Sequence, residues 1–172
     1  MNTQDHNRII DQAFGSAAVI PQFQLSAQEL VVLKNASREA DDLWSGGQSR
    51  DASFKHAMRA WGQSQAEAEA TFNAWVRYCL NLAADLQRGG SHVAALHRLG
   101  FGMHALADSH SPAHVGFQGW GGDGPLNVPG AIRHHFREKP TGDAMRDAVR
   151  DLHIYYYKFL QKSGLDLPVG PS

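Results

Sequence analysis

The sequence predicts an all-α, single-domain helical bundle. Two capping boxes, Ser26 with Glu29 and Ser64 with Glu67, each open a long stretch of helical apolar spacing. Strand-like alternation is nearly missing along the chain. With 172 residues, 42% of them hydrophobic, the chain suits one domain with a real core, and no repeat or linker divides it.

The elements follow in order from start and stop signals. Gln4–Phe14 reads as a first short helix, and Pro21 breaks the pattern after it. Ser26 opens a helix running to about Trp44, and Ser45–Gln48 with its two glycines is a loop. A short helix is expected across Ala52–Trp61. Ser64 opens a long helix to about Gln87, ended by Gly89 and Gly90. Ser91 can cap the next helix, which runs to about Ser109 before Pro112. Gly116–Gly130 is a glycine-rich loop, Ile132–Glu138 a further helix stopped by Pro140, and Thr141 caps a last helix to about Lys162. Gly164 follows it, and Leu165–Ser172 reads as a frayed tail. Trp61, Trp75, Tyr78 and Tyr155–Tyr157 read as core or half-buried residues.

Composition excludes several classes. The formal net charge of -1 lacks the basic footprint of a general nucleic-acid binder, and Arg133–Lys162 interleaves its bases with acids. Cys79 is the one cysteine, so no internal disulfide forms, and its apolar neighbours mark it as buried and inert. No run is long and apolar enough to span a bilayer. Met1–Phe14 lacks the apolar region of a conventional signal peptide, so the expectation is a protein that is cytoplasmic when made, with export by a dedicated effector machine compatible with it.

Ten histidines direct attention to metal chemistry. In Gly100-x3-His104-x3-Asp108-x5-His114 the first histidine and the aspartate lie one helical turn apart on one face. Pro112 can turn the chain so that His114 comes back over the helix end. His134-x3-Glu138 repeats the pairing, and His56 follows Asp42 by 14 positions and Asp41 by 15. Imidazole nitrogens and carboxylate oxygens are a ligand set that zinc accepts, and helix faces hold them in fixed directions. His97 shares the face of His104 and would pack there or support a ligand. His110 reads as solvent-facing, while His92, His135 and His153 suggest no partner.

The stretch from Gly100 to His114 resembles the core motif of the zinc-dependent phospholipase C and single-strand-specific zinc nuclease superfamily, in which a histidine, an aspartate four later and a histidine ten later bind a three-zinc cluster. Asp42 with His56 is similar to the lipase spacing, and Asp41 with His56 to the nuclease spacing. His6 matches the early histidine that the nucleases use together with the amino group of the first residue, although this chain begins with Met1 where the mature enzymes have tryptophan.

The resemblance implies a helical bundle with a dinuclear or trinuclear Zn2+ cleft. One ion would take Asp42 (or Asp41), His56, His104 and Asp108; a second His114, His134 and Glu138; a third His6, the chain terminus and a shared Asp108. Asp42, His104 and Asp108 would form the catalytic group, with Asp42 handling the attacking water. Phe117 and Trp120 would meet substrate, and could dip into a membrane surface. The implied activity is phosphodiester hydrolysis, on phospholipid in the manner of phospholipase C. The alternative is a single-strand nuclease acting on nucleic acid, and the alternative of another class is an inactive binding module that keeps zinc for structure. The loop from Gly116 to Trp120 is similar to toxin domains of large bacterial polymorphic toxins, which implies an antibacterial effector with a cognate immunity protein.

Overall fold

The structure is a computed structural model that describes residues 3–16, 18, 20–42, 50–119 and 140–165. Among the described residues the regular structure is five α-helices and two short 3-10 turns, with no strand beyond an isolated bridge between Arg59 and Gly119. The all-α expectation therefore holds for these residues. The expected helix over Ile132–Glu138, most of the Gly116–Gly130 loop and most of the tail lie outside them.

Helix α1 (Thr3–Phe14) buries His6, Ile9, Ile10, Ala13 and Phe14, one continuous face at helical spacing. After a 3-10 turn at Pro21–Phe23, helix α2 (Ala27–Ala40) starts on the expected capping box. The Ser26 amide donates to Glu29 Oε2 at 2.7 Å and the Glu29 amide to Ser26 Oγ at 3.3 Å. The helix stops at Ala40 rather than near Trp44, because the amides of Asp41 and Asp42 close tighter bonds to the Arg38 and Glu39 carbonyls at 3.2 and 3.1 Å.

The helix expected over Ala52–Trp61 is instead a 3-10 turn, Arg50–His56. Ala57 adopts φ 52°, a left-handed conformation from which a right-handed helix cannot continue. The chain then runs extended, and the Arg59 amide donates to the Gln118 carbonyl at 3.1 Å. Trp61 lies on this connection 80% exposed, so its assignment to the core or its border is corrected. Helix α3 (Gln65–Arg88) opens on the second capping box and closes at Gly90, whose φ of 80° lets the Ser91 amide reach back to the Leu86 carbonyl at 2.9 Å.

Helix α4 (His92–Ser109) is the centre of the bundle, packed against α2, α3 and α5 (Gly142–Ser163). Ser91 precedes α4, but its side chain makes no capping bond. Thr141 does cap α5, accepting from the Ala144 amide at 3.2 Å, and Gly164 ends it in the left-handed region. Two glycines allow the close approach to α4. A Cβ at Gly100 would stand 2.7 Å from Ala36 Cβ of α2, and one at Gly102 would collide with the Tyr155 hydroxyl of α5. The main core gathers Ile9, Phe14, Leu33, Leu96, Leu99, Met103, Leu152 and Phe159 around this helix.

Several histidines fasten the bundle. His92 reaches Glu29 at 2.8 Å, and His97 reaches Glu39 at 2.9 Å, so His97 joins α4 to α2 at the surface rather than supporting a ligand. His110 lies 2.9 Å from Asp151 and is half-buried rather than solvent-facing. His153 Nε2 donates to the Ala13 carbonyl at 2.8 Å. Cys79 is buried as expected, and burial pushes its thiol up to about 12. No helix among the described residues is long and apolar enough to cross a membrane.

Candidate metal centre

Five segments bring polar side chains to one end of α4. His6 is the first inward position of the α1 stripe. Leu33, Ala36, Ser37 and Ala40 form the buried face of α2, and Asp41 follows as its C-cap. His56 ends the 3-10 turn, where left-handed Ala57 halts the helix. His104 and Asp108 share the inner face of α4. His114 sits in a succession of turns past α4, its amide held by the Ser111 carbonyl at 2.8 Å.

The side chains converge on Asp108. Its Oδ2 lies 3.0 Å from His56 Nδ1 and 3.2 Å from His104 Nε2. Its Oδ1 lies 3.1 Å from His6 Nε2 and 3.8 Å from His114 Nδ1. His104 Nε2 and His56 Nδ1 are 3.0 Å apart, and Asp41 Oδ1 completes the group at 3.6 Å from the first and 3.7 Å from the second. Four donors tetrahedral about a zinc-sized ion at ordinary bond lengths would be separated by about 3.3 Å. The five measured separations, 3.0 to 3.7 Å, scatter around that edge. The residues therefore fit a metal ion: Asp41, His56 and His104 form one possible ligand group, and His6, His104 and Asp108 a second. Asp108 offers one oxygen to each side.

Electrostatics favour a cation there. Burial alone would raise the Asp108 pKa, but charges around it, those of His114, His104 and His6 among them, bring it well below the usual range. Burial, reinforced by His6, pushes His104 down to about 4, so it is neutral near pH 7 and retains a lone pair for a ligand bond. Burial raises Asp41, partly offset by His104 and His56. His6, His56, His104, Asp108 and His114 are all at most 3% exposed, whereas Asp41 is 20% exposed. Carboxylate charge sealed from water in this way is stabilised by positive charge close to it, whether from the imidazoles or from a bound cation.

His6, His56, His104, Asp108 and His114 come together. Among the described residues the acid grouped with His56 and His104 is Asp41, the member of the Asp41/Asp42 pair at the nuclease interval. Asp41 is the C-cap of α2, where it is still close enough to the helix to point inward. Phe117 is half-buried, with its ring 5.5 Å from Phe72 in a small cluster with Ala57 and Ala105. His134, Glu138, Trp120 and the amino group of Met1 lie outside the described residues.

Sequence reasoning missed Ser37. It is buried, and its Oγ lies 3.1 Å from His104 Nδ1, on the side of the ring away from the cluster. The available signal was its place one turn before Asp41 on a helix otherwise burying apolar residues.

No family model and no solved structure matches the chain. The L-aspartate oxidases of Mycobacterium bovis and Mycobacterium tuberculosis are 30% identical to it over 112 residues, which is 62% of this chain. The chain spans about a fifth of the length of these curated relatives (21%), so what it is similar to is a portion of an L-aspartate oxidase.

Proposed function

We propose that the chain is a zinc-dependent phosphodiesterase that hydrolyses phospholipids in the manner of a phospholipase C, acting as an antibacterial effector. The observation that carries the hydrolytic reading is Asp108, a buried carboxylate with two imidazoles at each of its oxygens and Asp41 alone of the group facing solvent. Asp41, His56, His104 and Asp108 would hold one ion, and His6 and His114 would join Asp108 around another. Bound zinc would supply Lewis-acid polarisation of the phosphoryl oxygens and ionisation of water near neutral pH.

The chain's own residues do the rest. Asp41 stands at the entrance and accepts a proton from the attacking water, whose oxygen bonds to phosphorus as the ester P–O bond breaks. The leaving alkoxide takes up a proton from solvent, and Asp41 returns to solvent the proton it accepted, giving an alcohol and a phosphomonoester. Burial of the imidazoles keeps bulk water from the far side of the cluster, so charge forming on the phosphoryl group meets fixed dipoles rather than solvent. Phe117 packs beside the His114 turn and shapes one wall.

The phospholipid reading draws on the near-neutral net charge, which gives long nucleic acid little electrostatic help. A second reading, the single-strand nuclease, gains from two observations: the acid at His56 is Asp41, at the nuclease interval, and His6 is buried beside Asp108.

The deciding experiment measures metal content and hydrolysis of bis-p-nitrophenyl phosphate together. Parallel assays on phosphatidylcholine and single-stranded DNA follow. Turnover of phosphatidylcholine supports the lipase, and turnover of DNA alone supports the nuclease. Zinc without turnover of any phosphodiester leaves the binding module, and absence of bound zinc ends the proposal.

A further inference from the structure

We infer that Ser37 is a positioning residue of the metal centre, holding His104 by Nδ1 so that Nε2 is presented to a cation. The inference rests on the cluster being a cation site. Ser37 is 1% exposed, and its Oγ lies 3.1 Å from His104 Nδ1. The opposite nitrogen, Nε2, faces His56 Nδ1 at 3.0 Å, Asp108 Oδ2 at 3.2 Å and Asp41 Oδ1 at 3.6 Å. The ring is held between His6, stacked at 4.1 Å, and His56, edge-on at 5.0 Å. These ring contacts restrain tilt, but they do not decide which nitrogen carries the proton. Ser37 is the partner that meets Nδ1 whether or not that nitrogen carries the proton.

A neutral imidazole has one N–H and one lone pair, and the partner at one nitrogen sets the state of the other. To bind a cation, Nε2 must offer its lone pair, so the proton must stand on Nδ1 and be donated to Ser37 Oγ. Without a cation, the carboxylate of Asp108 beside Nε2 favours the proton there, and the Ser37 hydroxyl then donates to Nδ1. Between the two states Nε2 gives one proton to solvent and Nδ1 takes one from it, so the net charge of the ring is unchanged. A hydroxyl serves both because it can donate or accept by rotating its hydrogen. A carboxylate could only accept, and it would add negative charge to a buried group that already holds two acids. Helix α2 thus contributes twice, with Ser37 and Asp41 one turn apart.

The test titrates Zn2+ into metal-free wild type, Ser37→Ala and Ser37→Thr, and follows the His104 ring nitrogens by 15N NMR. In wild type, Zn2+ moves the ring proton from Nε2 to Nδ1. Ser37→Ala keeps its helical circular dichroism, binds Zn2+ more weakly by on the order of 10–100-fold, and shows mixed ring protonation. Ser37→Thr, which restores a hydroxyl, recovers most of the affinity. A merely structural Ser37 would lower thermal stability and leave the ring proton where it is in wild type.

A folded Ser37→Ala binding Zn2+ within about twofold of wild type overturns the inference, because the affinity loss expected for an outer partner would be missing. So does a loaded wild type whose proton stays on Nε2, and that measurement stands even where Ser37→Ala fails to fold. Should wild type itself take up no Zn2+, the cation site falls together with the role of Ser37. That failure is recognised because it precedes any comparison among variants.

Discussion

His104 and Asp108 could be paired from the sequence because four residues along a helix fix direction as well as distance. Asp41 and Asp42 could not be separated in that way. One step along a helix rotates a side chain by about 100°, and these two stand where the chain leaves the helix, so only the turn itself decides which faces inward. Ser37 escaped for another reason: a serine inside a helix usually bonds its own backbone, and its place one turn before Asp41 was the single local sign that it reaches a distant ring instead. Asp108→Asn keeps the shape and removes the charge shared by both groups of imidazoles. Bound zinc, measured by elemental analysis, should fall by more than the roughly 10–100-fold in affinity that loss of an outer partner brings. Phosphodiester hydrolysis should fall with it.

Helices were legible wherever side chains spell out their ends. Both capping boxes form as their Ser-x-x-Glu pattern requires, and Gly90 and Gly164 end their helices in left-handed conformations. The Arg50–His56 turn was misread because a few residues cannot distinguish a short α-helix from a 3-10 turn, and left-handed Ala57 carries no sequence signal. Ser64→Ala removes the cap of α3, a helix that supplies none of the clustered ligands, and should cost about 1 kcal/mol in urea unfolding while leaving zinc uptake unchanged. Gly102→Ala forces a methyl group against Tyr155 and should destabilise by about 1–3 kcal/mol. It pushes α4 away from α5, so it should also weaken zinc binding, which isothermal titration would detect.

For the molecule as a whole, the cluster makes stability depend on acid and on metal. His104 is held at about 4 when folded, against 6.5 when free, so the unfolded chain binds the proton first. Stability is full above pH 6.5 and is lost as pH falls toward 4, by roughly 3 kcal/mol from this group. Asp108, depressed well below 3.8, extends the loss to lower pH, while Asp41, raised above 3.8, opposes it. Urea unfolding of chelator-treated protein at pH 7 and pH 4.5 would measure the difference. At pH 7, zinc at 100 times its dissociation constant should restore about 2.7 kcal/mol, seen as a rise in melting temperature that a chelator reverses. The spread of the clustered residues along the chain has a further bearing. Ser37 meets His104 across 67 residues and His153 meets Ala13 across 140. On a ribosome, therefore, the early helices emerge with their inward faces bare, and the ring of imidazoles can close only after α4 and the His114 turn have left the exit tunnel. Folding is then a late, collective event, in which α1 is among the last of the described helices to be fully covered.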